Sequence, residues 1–303
     1  MAREFSGEII SADSRQVYRR LDIGSGKDIE EYSKGGVETA CHCIDIADPD
    51  EDYNLFRYQH DAARAINEIV AHGNQPIIVG GTPLYINAVL ENYALEGGPP
   101  NAEFRRELSN VSDKDLLGQL HEIAPDVYER TDKTQRKRII RALEIAHSRT
   151  EQGREPAAKL ELDPLLLGPF YPRPVIHRRI EERLDQRLRE GLLEEVESLN
   201  SSGIPWDRLE ALGLEYRYAA RRLQGQLSQT EFRNQLLAKI RQFCRSQEIW
   251  FRKMEREGKV IHWVPEGDVC KATNLARTFL AGKKLPEPEI QLKNIRYGPD
   301  TNK

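Results

Sequence analysis

The sequence predicts an α/β fold with a parallel sheet, on the evidence of two apolar strands and the helices that alternate with them. Residues 76–79 form a continuous apolar run, which is typical of a strand buried in a parallel sheet. Apolar residues recur at helical spacing over 56–71. A shorter apolar run at 9–11 predicts another strand, and strands that alternate with helices are typical of parallel α/β cores.

The remaining elements follow from the same patterns. The predicted strands are 43–46, 165–170 and 260–264, and the predicted helices are 84–90, 102–123, 136–149, 175–200 and 229–256. Gly191 predicts a break in the helix 175–200, because glycine is unfavourable within a helix. Residues 285–303 are polar and are predicted to form a flexible tail.

Composition excludes several classes of protein. The 303 residues are 39% apolar and 31% charged, which suits a core beneath a charged surface. A formal net charge of −4 excludes a polycation, so any nucleic acid must be bound by local basic patches. No apolar run is long enough to span a membrane. Four cysteines without regular spacing predict reduced thiols in the cytosol, and Cys41-His42-Cys43 lacks the second ligand pair of a zinc site.

The run from Ser11 to Tyr18 carries the most chemistry. Asp13 follows the strand 9–11 at the carboxyl edge, where α/β folds place their sites. A helix N-cap is the alternative interpretation, since Ser and Asp side chains accept backbone N–H groups there. Gln16 and Tyr18 favour a site, because an amide can read a base edge and an aromatic ring can stack on a base.

Two glycine-containing segments are weaker candidates. Gly80-Gly81-Thr82 follows the strand 76–79 and is either a tight turn or a close approach of backbone to a ligand, with Thr82 as a hydroxyl donor. Gly24-Ser25-Gly26-Lys27 imitates the end of a phosphate loop. It lacks the earlier glycine, the preceding strand and the Ser or Thr after the lysine, which argues against a nucleotide loop here.

Three basic stretches are candidates for phosphate contacts, with solvated or paired arginines as the alternative. The first begins a helix at 135–141. The second contains Arg178, Arg179, Arg183, Arg187 and Arg189. Within it Arg179 and Arg183 are helical neighbours that can clamp a diphosphate, although nearby carboxylates can pair with them instead. The third runs from Arg241 to Arg252 and includes aromatic residues.

These motifs, in this order, resemble the tRNA dimethylallyltransferase family, also called tRNA isopentenyltransferases. The matching segments are 11–18, 21–24, 42–46, 79–85, 138–144, 179–183, 191–196, 213–217 and 250–252. Each segment alone is a weak match to the family, and the order and spacing of all of them make the resemblance specific. Ser246 and Ile249 depart from what many relatives carry, which affects only local RNA contacts.

The resemblance implies an activity and its ligands. Such enzymes move a dimethylallyl group from dimethylallyl diphosphate to the 6-amino group of the adenosine just 3′ of the anticodon, in tRNAs that read codons beginning with U. The base must leave the anticodon-loop stack to be reached. The implied partners are a tRNA anticodon stem-loop and dimethylallyl diphosphate, the implied cofactor is Mg²⁺, and the implied protein is a cytoplasmic monomer.

The resemblance also implies roles for individual residues. Asp13 matches the carboxylate that takes a proton from the amine. Arg183 matches the active-site arginine that binds the leaving diphosphate. Positions that contact tRNA in the family correspond to Asp13, Ser14, Arg15, Gln16 and Thr82 and to Lys137, Arg138, Ile139, Ile140 and Arg141 of the basic helix.

The implied fold is a P-loop-kinase-like parallel sheet core with a mostly helical insertion. Residues 1–96 and 166–284 match the core, 97–165 match a tRNA-binding insertion, and 285–303 are a tail. Relatives begin with a strand, a phosphate loop ending in Gly-Lys-Ser/Thr and a helix. This sequence is expected to lack the strand, the loop and most of that helix, so that neighbouring strands expose unpaired edges.

An incorrect start of a longer, active protein is favoured over a true truncation, because the other motifs are intact. In either case the 303 residues are expected not to hold dimethylallyl diphosphate tightly. The alternative functions are a non-catalytic tRNA-binding protein and an adenylate isopentenyltransferase. The helical insertion argues against the second, since a free nucleotide needs no grip on an RNA stem.

Overall fold

Five short strands form two parallel sheets in the computed structural model, which describes residues 1–33, 36, 38–93, 95, 98, 100–148 and 159–295. The strands are β1 (Gly7–Ser11), β2 (Cys41–His42), β3 (Gln75–Val79), β4 (Leu166–Phe170) and β5 (Ile261–Pro265). The first sheet has the order β2-β1-β3, and the second pairs β4 with β5. Within the described residues no strand pairs with the other edge of β3, and Val79 at its end is 51% exposed. The parallel pairing confirms the predicted α/β class.

The predicted strand at 43–46 is wrong. Strand β2 consists of Cys41 and His42 only, and the chain turns immediately after it. Cys43 and Asp45 have φ values of 59° and 53°, in the left-handed region that a strand does not contain. No group of three or more potential metal ligands occurs among the described residues, so Cys41, His42 and Cys43 form no such centre there.

Helices account for most of the secondary structure. They are α1 (Ile29–Ser33), α2 (Leu55–Ala71), α3 (Pro83–Leu90), α4 (Ala102–Glu107), α5 (Asp113–Ile123), α6 (Pro125–Arg130), α7 (Arg136–Ser148), α8 (Arg173–Glu190), α9 (Leu192–Ser201), α10 (Trp206–Ala211), α11 (Leu214–Leu223), α12 (Gln229–Arg256) and α13 (Val269–Leu280). Gly191, with a φ of 104°, separates α8 from α9, which confirms the predicted break. None of the helices described has the length and apolar character that crossing a membrane requires.

The predicted helix 102–123 is interrupted. Helix α4 ends in a 3-10 turn at Leu108–Asn110, and Ser112 then caps α5 by accepting a hydrogen bond from the backbone N–H of Asp115. Serine is a preferred N-cap residue, so a new helix begins there. Helices α10, α11 and α13 are absent from the predicted elements, because short amphipathic segments give a weak periodic signal.

The first sheet and the helices α4–α7 have separate hydrophobic clusters. Ile10 of β1 packs in one cluster with Tyr58 and Ile69 of α2. Residues of α4–α7 and the turns between them form another, whose fully buried members include Leu116, Leu120, Ile139 and Leu143. The helical segment therefore has apolar packing of its own.

The C-terminal segment differs from the predicted flexible tail up to residue 295, and residues 296–303 lie outside the described residues. Leu292 is 5% exposed and packs in a cluster with Trp263. The buried carboxylate of Glu255 accepts hydrogen bonds from the indole N–H of Trp263 (2.7 Å) and from the backbone N–H groups of Leu292 (3.1 Å) and Lys293 (2.6 Å). One carboxylate of α12 thus joins β5 to the C-terminal segment.

We expect Glu255→Ala to lower the free energy of unfolding by about 3 kcal/mol, because two buried donors and one half-buried donor lose their acceptor. Glu257→Ala, at an exposed position just after α12, is the matched control and should have little effect. Urea unfolding followed by circular dichroism measures both variants. Equal midpoints for the two variants would show that the Glu255 hydrogen bonds contribute little.

Candidate active site

Asp13 lies directly after β1 and is oriented by the backbone that follows it. Its Oδ1 accepts hydrogen bonds from the backbone N–H groups of Arg15 (2.8 Å) and Gln16 (3.4 Å). These are the bonds of an N-cap, yet turns rather than a helix follow. No described residue donates a hydrogen bond to the other carboxylate oxygen, Oδ2. The turn therefore holds one oxygen and leaves the second able to accept a proton from a ligand.

The loop after β3 meets the loop after β1 at the carboxyl edge of the sheet. The backbone N–H of Ser14 donates to Oγ1 of Thr82 (3.1 Å), and the N–H of Thr82 donates to the carbonyl of Ala12 (3.1 Å). A Cβ at Gly80 would overlap that Ala12 carbonyl, so glycine is required for the close approach. The side-chain amide of Gln247 in α12 donates to the carbonyl of Gly81. Thr82 is thereby placed beside the Asp13 loop.

Gln16 and Arg15 lead from this loop to other parts of the chain. The amide oxygen of Gln16 accepts a hydrogen bond from the hydroxyl of Ser11 (3.1 Å), and its Nε2 donates to the carbonyl of Gly26 (3.2 Å). The Arg15 side chain passes so close to Gly213 that a Cβ there would lie 3.2 Å from Nε. Both side chains are half-buried and are held by neighbouring segments.

Two arginines of α8 approach the segment that contains Gly26. Arg187 donates from Nη1 to the carbonyl of Gly24 (3.2 Å) and to Glu215 (3.1 Å). Burial lowers the pKa of Arg187, and the charge of Arg183 lowers it further, while burial raises the pKa of Glu215. Arg183 is 57% exposed, and its Nη2 lies 3.5 Å from the Gly26 carbonyl oxygen. Nη2 of Arg183 also lies 3.9 Å from the exposed carboxylate of Asp28, and the exposed guanidinium can still bind an anion that enters from solvent.

The proposed clamp of Arg179 with Arg183 is not supported by the structure. The guanidinium of Arg179 lies over the ring of Tyr171, 4.2 Å from its centroid. Arg187, which is also four residues from Arg183, is the neighbour that reaches the site. The sequence placed Arg187 in a basic stretch but did not distinguish it from the other arginines.

The basic residues of α7 belong to a helix whose apolar side chains pack in the separate hydrophobic cluster of α4–α7. Lys137 and Arg138 have exposed side chains, and Arg138 pairs with Asp132 at 2.9 Å. Ile139 is fully buried in the cluster, and Ile140 packs against it while partly exposed. Arg141 is half-buried and donates to Glu144 (3.1 Å) and to the carbonyl of Gly98 (2.8 Å). The exposed charge on this part of α7 is thus that of Lys137 and Arg138.

Several residues near the site have no role predicted from the sequence. In the sequence, Glu195 and Glu215 stand out only as members of the segments that match the family, and Gln247 only as a member of the third basic stretch. In that stretch Arg241 pairs with Glu181 at 3.1 Å and Arg252 with Glu248 at 2.7 Å. Gln247 is the residue of the stretch that reaches the loop after β3. Only contacts between segments distant in sequence reveal these positions.

The fold and the site together define an α/β protein suited to group transfer from a phosphorylated donor. A carboxylate with an available oxygen, a hydroxyl and an exposed arginine lie near the carboxyl ends of parallel strands. Comparison with known proteins then identifies the family. The model of the family described as IPP transferase matches residues 16–254.

Curated relatives give the same result over nearly the whole chain. A tRNA dimethylallyltransferase 1 of Geotalea uraniireducens is 47% identical over 268 residues, which cover 88% of this chain and 87% of the relative. A tRNA dimethylallyltransferase 1 of Syntrophus aciditrophicus is 46% identical over 273 residues, or 90% of this chain and 89% of the relative. The chain belongs to the IPP transferase family.

Solved structures show the corresponding fold. The full-length tRNA isopentenylpyrophosphate transferase of Bacillus halodurans is 30% identical, with a TM-score of 0.65, over 93% of this chain and 89% of that structure. A eukaryotic dimethylallyltransferase acting on tRNA matches with a TM-score of 0.74 over 94% of this chain and 76% of that one. At 20% identity the second match shows the fold alone. The family and fold class predicted from the sequence are confirmed.

Proposed function

We propose that this chain transfers a dimethylallyl group from dimethylallyl diphosphate to the 6-amino group of an adenosine in tRNA. The observation that supports this most directly is the placement of Asp13, Thr82 and Arg183 around neighbouring loops. The proposed acceptor is the adenosine just 3′ of the anticodon in tRNAs that read codons beginning with U. A monomer in the cytoplasm completes the proposal.

The proposed reaction forms one bond and breaks one bond. The 6-amino nitrogen attacks C1 of the dimethylallyl group, and the bond from C1 to the diphosphate oxygen breaks. The amino proton passes to Oδ2 of Asp13, and the electron pair of the broken bond leaves with the diphosphate. Arg183 and Arg187 stabilise the charge that develops on the leaving group. Thr82, Ser14, Arg15 and Gln16 are proposed to hold the flipped-out base and its neighbours.

The helical segment 97–165 is proposed to be the insertion that grips the anticodon stem, with 1–96 and 166–284 as the core. Its own hydrophobic cluster supports this division. Residues 97, 99 and 149–158 of the segment lie outside the described residues. Lys137 and Arg138 carry the exposed charges, so they are the proposed phosphate contacts. The proposed role of Ile139, Ile140 and Arg141 is to hold the helix in place or to contact RNA through the backbone of the helix.

We expect the double variant Lys137→Ala/Arg138→Ala to weaken binding of an anticodon stem-loop and to reduce the salt dependence of that binding. The slope of log K against log salt concentration is negative, and each lost phosphate contact should make it shallower by about 1. The control variant Lys283→Ala/Lys284→Ala removes the same charge from exposed positions after α13. Titrations at several salt concentrations measure both variants, and equal slopes would contradict a role for α7 in gripping RNA.

We also propose Mg²⁺ as the cofactor that accompanies the diphosphate. The described residues contain no group of three or more His, Cys, Asp or Glu side chains that could hold a metal. Magnesium in such sites commonly takes one or two protein ligands and several from phosphate groups and water. The diphosphate of the donor would then supply most of the ligands, and the ion would neutralise part of its charge.

A transfer assay tests the proposed function. Labelled dimethylallyl diphosphate is incubated with the chain and either an anticodon stem-loop or AMP, and label is expected only in the RNA. Label in AMP alone would support an adenylate isopentenyltransferase. A mobility shift of the RNA without transfer would support a tRNA-binding protein without catalysis.

A further inference from the structure

The segment Asp22–Lys27, called the bracket loop from here on, is held at one end by a buried lysine. The side chain of Lys27 is fully buried. Its Nζ donates to the carbonyl oxygen of Tyr18 (2.6 Å) and to the carboxylates of Asp22 (2.9 Å) and Asp45 (2.5 Å). These three oxygens satisfy the three donors of the ammonium group. Lys27 therefore anchors the loop and has no donor left for a phosphate group, as the sequence pattern indicates.

Glu195 of α9 holds the other end of the bracket loop. Its Oε2 accepts hydrogen bonds from the backbone N–H groups of Asp22 (3.0 Å) and Ile23 (2.7 Å), and its Oε1 accepts one from Gly24 (3.1 Å). The hydroxyl of Tyr216 also donates to Oε1 (2.7 Å). Hydrogen bonds to an ionised group are stronger than neutral ones. Three consecutive backbone groups bound to one carboxylate keep this half of the loop in a single conformation.

The carbonyl groups of the bracket loop receive side chains from both parts of the candidate site. Gln16, from the loop after β1, donates to the carbonyl oxygen of Gly26 at 3.2 Å. Arg183 approaches the same oxygen at 3.5 Å, and Arg187 donates to the carbonyl of Gly24 at 3.2 Å. One backbone oxygen therefore joins the side proposed for the acceptor base to the arginine proposed for the diphosphate.

Gly26 is the position at which this arrangement excludes a side chain. Its φ is 66°, and a Cβ there would overlap Nη2 of Arg187 and lie 2.5 Å from Nη2 of Arg183. An added methyl group must therefore displace the guanidinium groups. Gly225, after α11, offers a matched comparison, since its φ is 74° and no atom lies within 4 Å of its Cβ position. Alanine at Gly225 introduces similar backbone strain without touching an arginine.

We propose that Gly26 is a positioning residue for prenyl transfer. Its carbonyl oxygen sets the place of Arg183 relative to Gln16, and its missing side chain leaves room for both arginines. Gly26 itself contacts neither donor nor acceptor. Lys27 and Glu195 act through it, because they fix the loop that carries it. This inference rests on the proposed function and adds to it the means by which the two sides of the site keep their spacing.

Single-turnover transfer by Gly26→Ala and Gly225→Ala tests the proposal. Gly26→Ala should reduce the rate by about 100-fold, the size of effect that a misplacement of about 1 Å produces. RNA affinity should be largely kept, because the exposed charges of Lys137 and Arg138 are untouched. Gly225→Ala should keep the rate of the unmodified chain. If both alanine variants react at the same rate, the proposal is overturned.

Combining Gly26→Ala with Arg183→Ala separates positioning from a general loss of structure. If Gly26 acts through Arg183 and Arg187, its substitution should have a smaller effect once Arg183 is gone, because only the displacement of Arg187 is left to act. A structural defect would instead reduce the rate by the same factor in both backgrounds, and that result would overturn the proposal. Thermal unfolding should be similar for Gly26→Ala and Gly225→Ala, since their backbone strain is similar.

Binding of inorganic pyrophosphate provides a readout that does not depend on transfer. Isothermal calorimetry should show weaker binding to Gly26→Ala and unchanged binding to Gly225→Ala. No transfer by the unmodified chain at saturating dimethylallyl diphosphate would contradict the proposed function. Unchanged pyrophosphate affinity in Gly26→Ala would contradict the positioning role, so the two failures are distinguishable.

Discussion

Replacement of Asp13 by Asn will reduce the rate of prenyl transfer by about 10²- to 10⁴-fold, the usual contribution of a general base. An aromatic amine is a poor nucleophile until its proton is removed. The amide oxygen of Asn can still accept the two backbone hydrogen bonds that Oδ1 of Asp13 accepts from Arg15 and Gln16. The turn is therefore kept while the group that takes the proton is lost.

Asp48→Asn is the control for Asp13→Asn. Asp48 is exposed and pairs with Arg19 at 2.9 Å, so this variant removes the same charge without touching the site. Single-turnover rates with saturating RNA separate chemistry from binding, and filter binding gives the RNA affinity. A rate unchanged by Asp13→Asn would remove Asp13 as the base. A large loss of RNA affinity would instead assign it a role in binding.

Replacement of Arg183 by Ala will reduce the transfer rate by about 10²- to 10³-fold, as expected for a group that stabilises developing charge. The diphosphate gains negative charge as the bond to C1 breaks, and Arg183 is the more exposed of the two arginines at the bracket loop. Arg183→Lys should be faster than Arg183→Ala but slower than the unmodified chain, because an ammonium group keeps the charge but cannot donate two parallel hydrogen bonds.

Arg179→Ala is the matched control, since it removes an arginine one helical turn earlier in α8. The guanidinium of Arg179 lies over the ring of Tyr171. Transfer rates and pyrophosphate inhibition constants are measured for both variants. The assignment of Arg183 would be refuted by an equal loss of rate in the two variants.

The central part of the site could be predicted from the sequence because of the rules of parallel sheets. Strands that run in the same direction present their carboxyl ends at one edge. The residues that follow β1 and β3 then lie at one edge, and Ser14 and Thr82 meet at 3.1 Å because the two strands are neighbours in the sheet. Recognition of the two apolar runs predicts the shared edge, and the adjacency of the strands comes from the structure.

The choice between the arginines of α8 could not be predicted in this way. Arg179 and Arg187 are each four residues from Arg183, so helical spacing makes both its neighbours. Which of them reaches the site depends on where the bracket loop crosses the helix. That crossing is set by Lys27, whose partners lie 5, 9 and 18 residues away, and by Glu195, whose backbone partners lie 171 to 173 residues away. A short motif contains no information about contacts of this range.

The strand predicted at 43–46 failed for a related reason. The residues are apolar at alternate positions, yet Asp45 accepts a hydrogen bond from the buried Lys27. This contact accompanies a left-handed backbone conformation at Asp45, with a φ of 53°. Tertiary contacts outweigh a local strand preference when they satisfy a buried charge.

The bonding of Gln16 and Arg183 to a main-chain oxygen has a consequence for how such a site can change over evolutionary time. A carbonyl oxygen is present whichever amino acid occupies position 26, so no substitution can delete the acceptor. Substitutions can only move it, and alanine already encroaches on the arginines. New donor or acceptor preferences would therefore have to arise through side chains that surround the bracket loop. An engineer who wishes to redirect this chain to another prenyl donor should leave the loop intact and vary its neighbours.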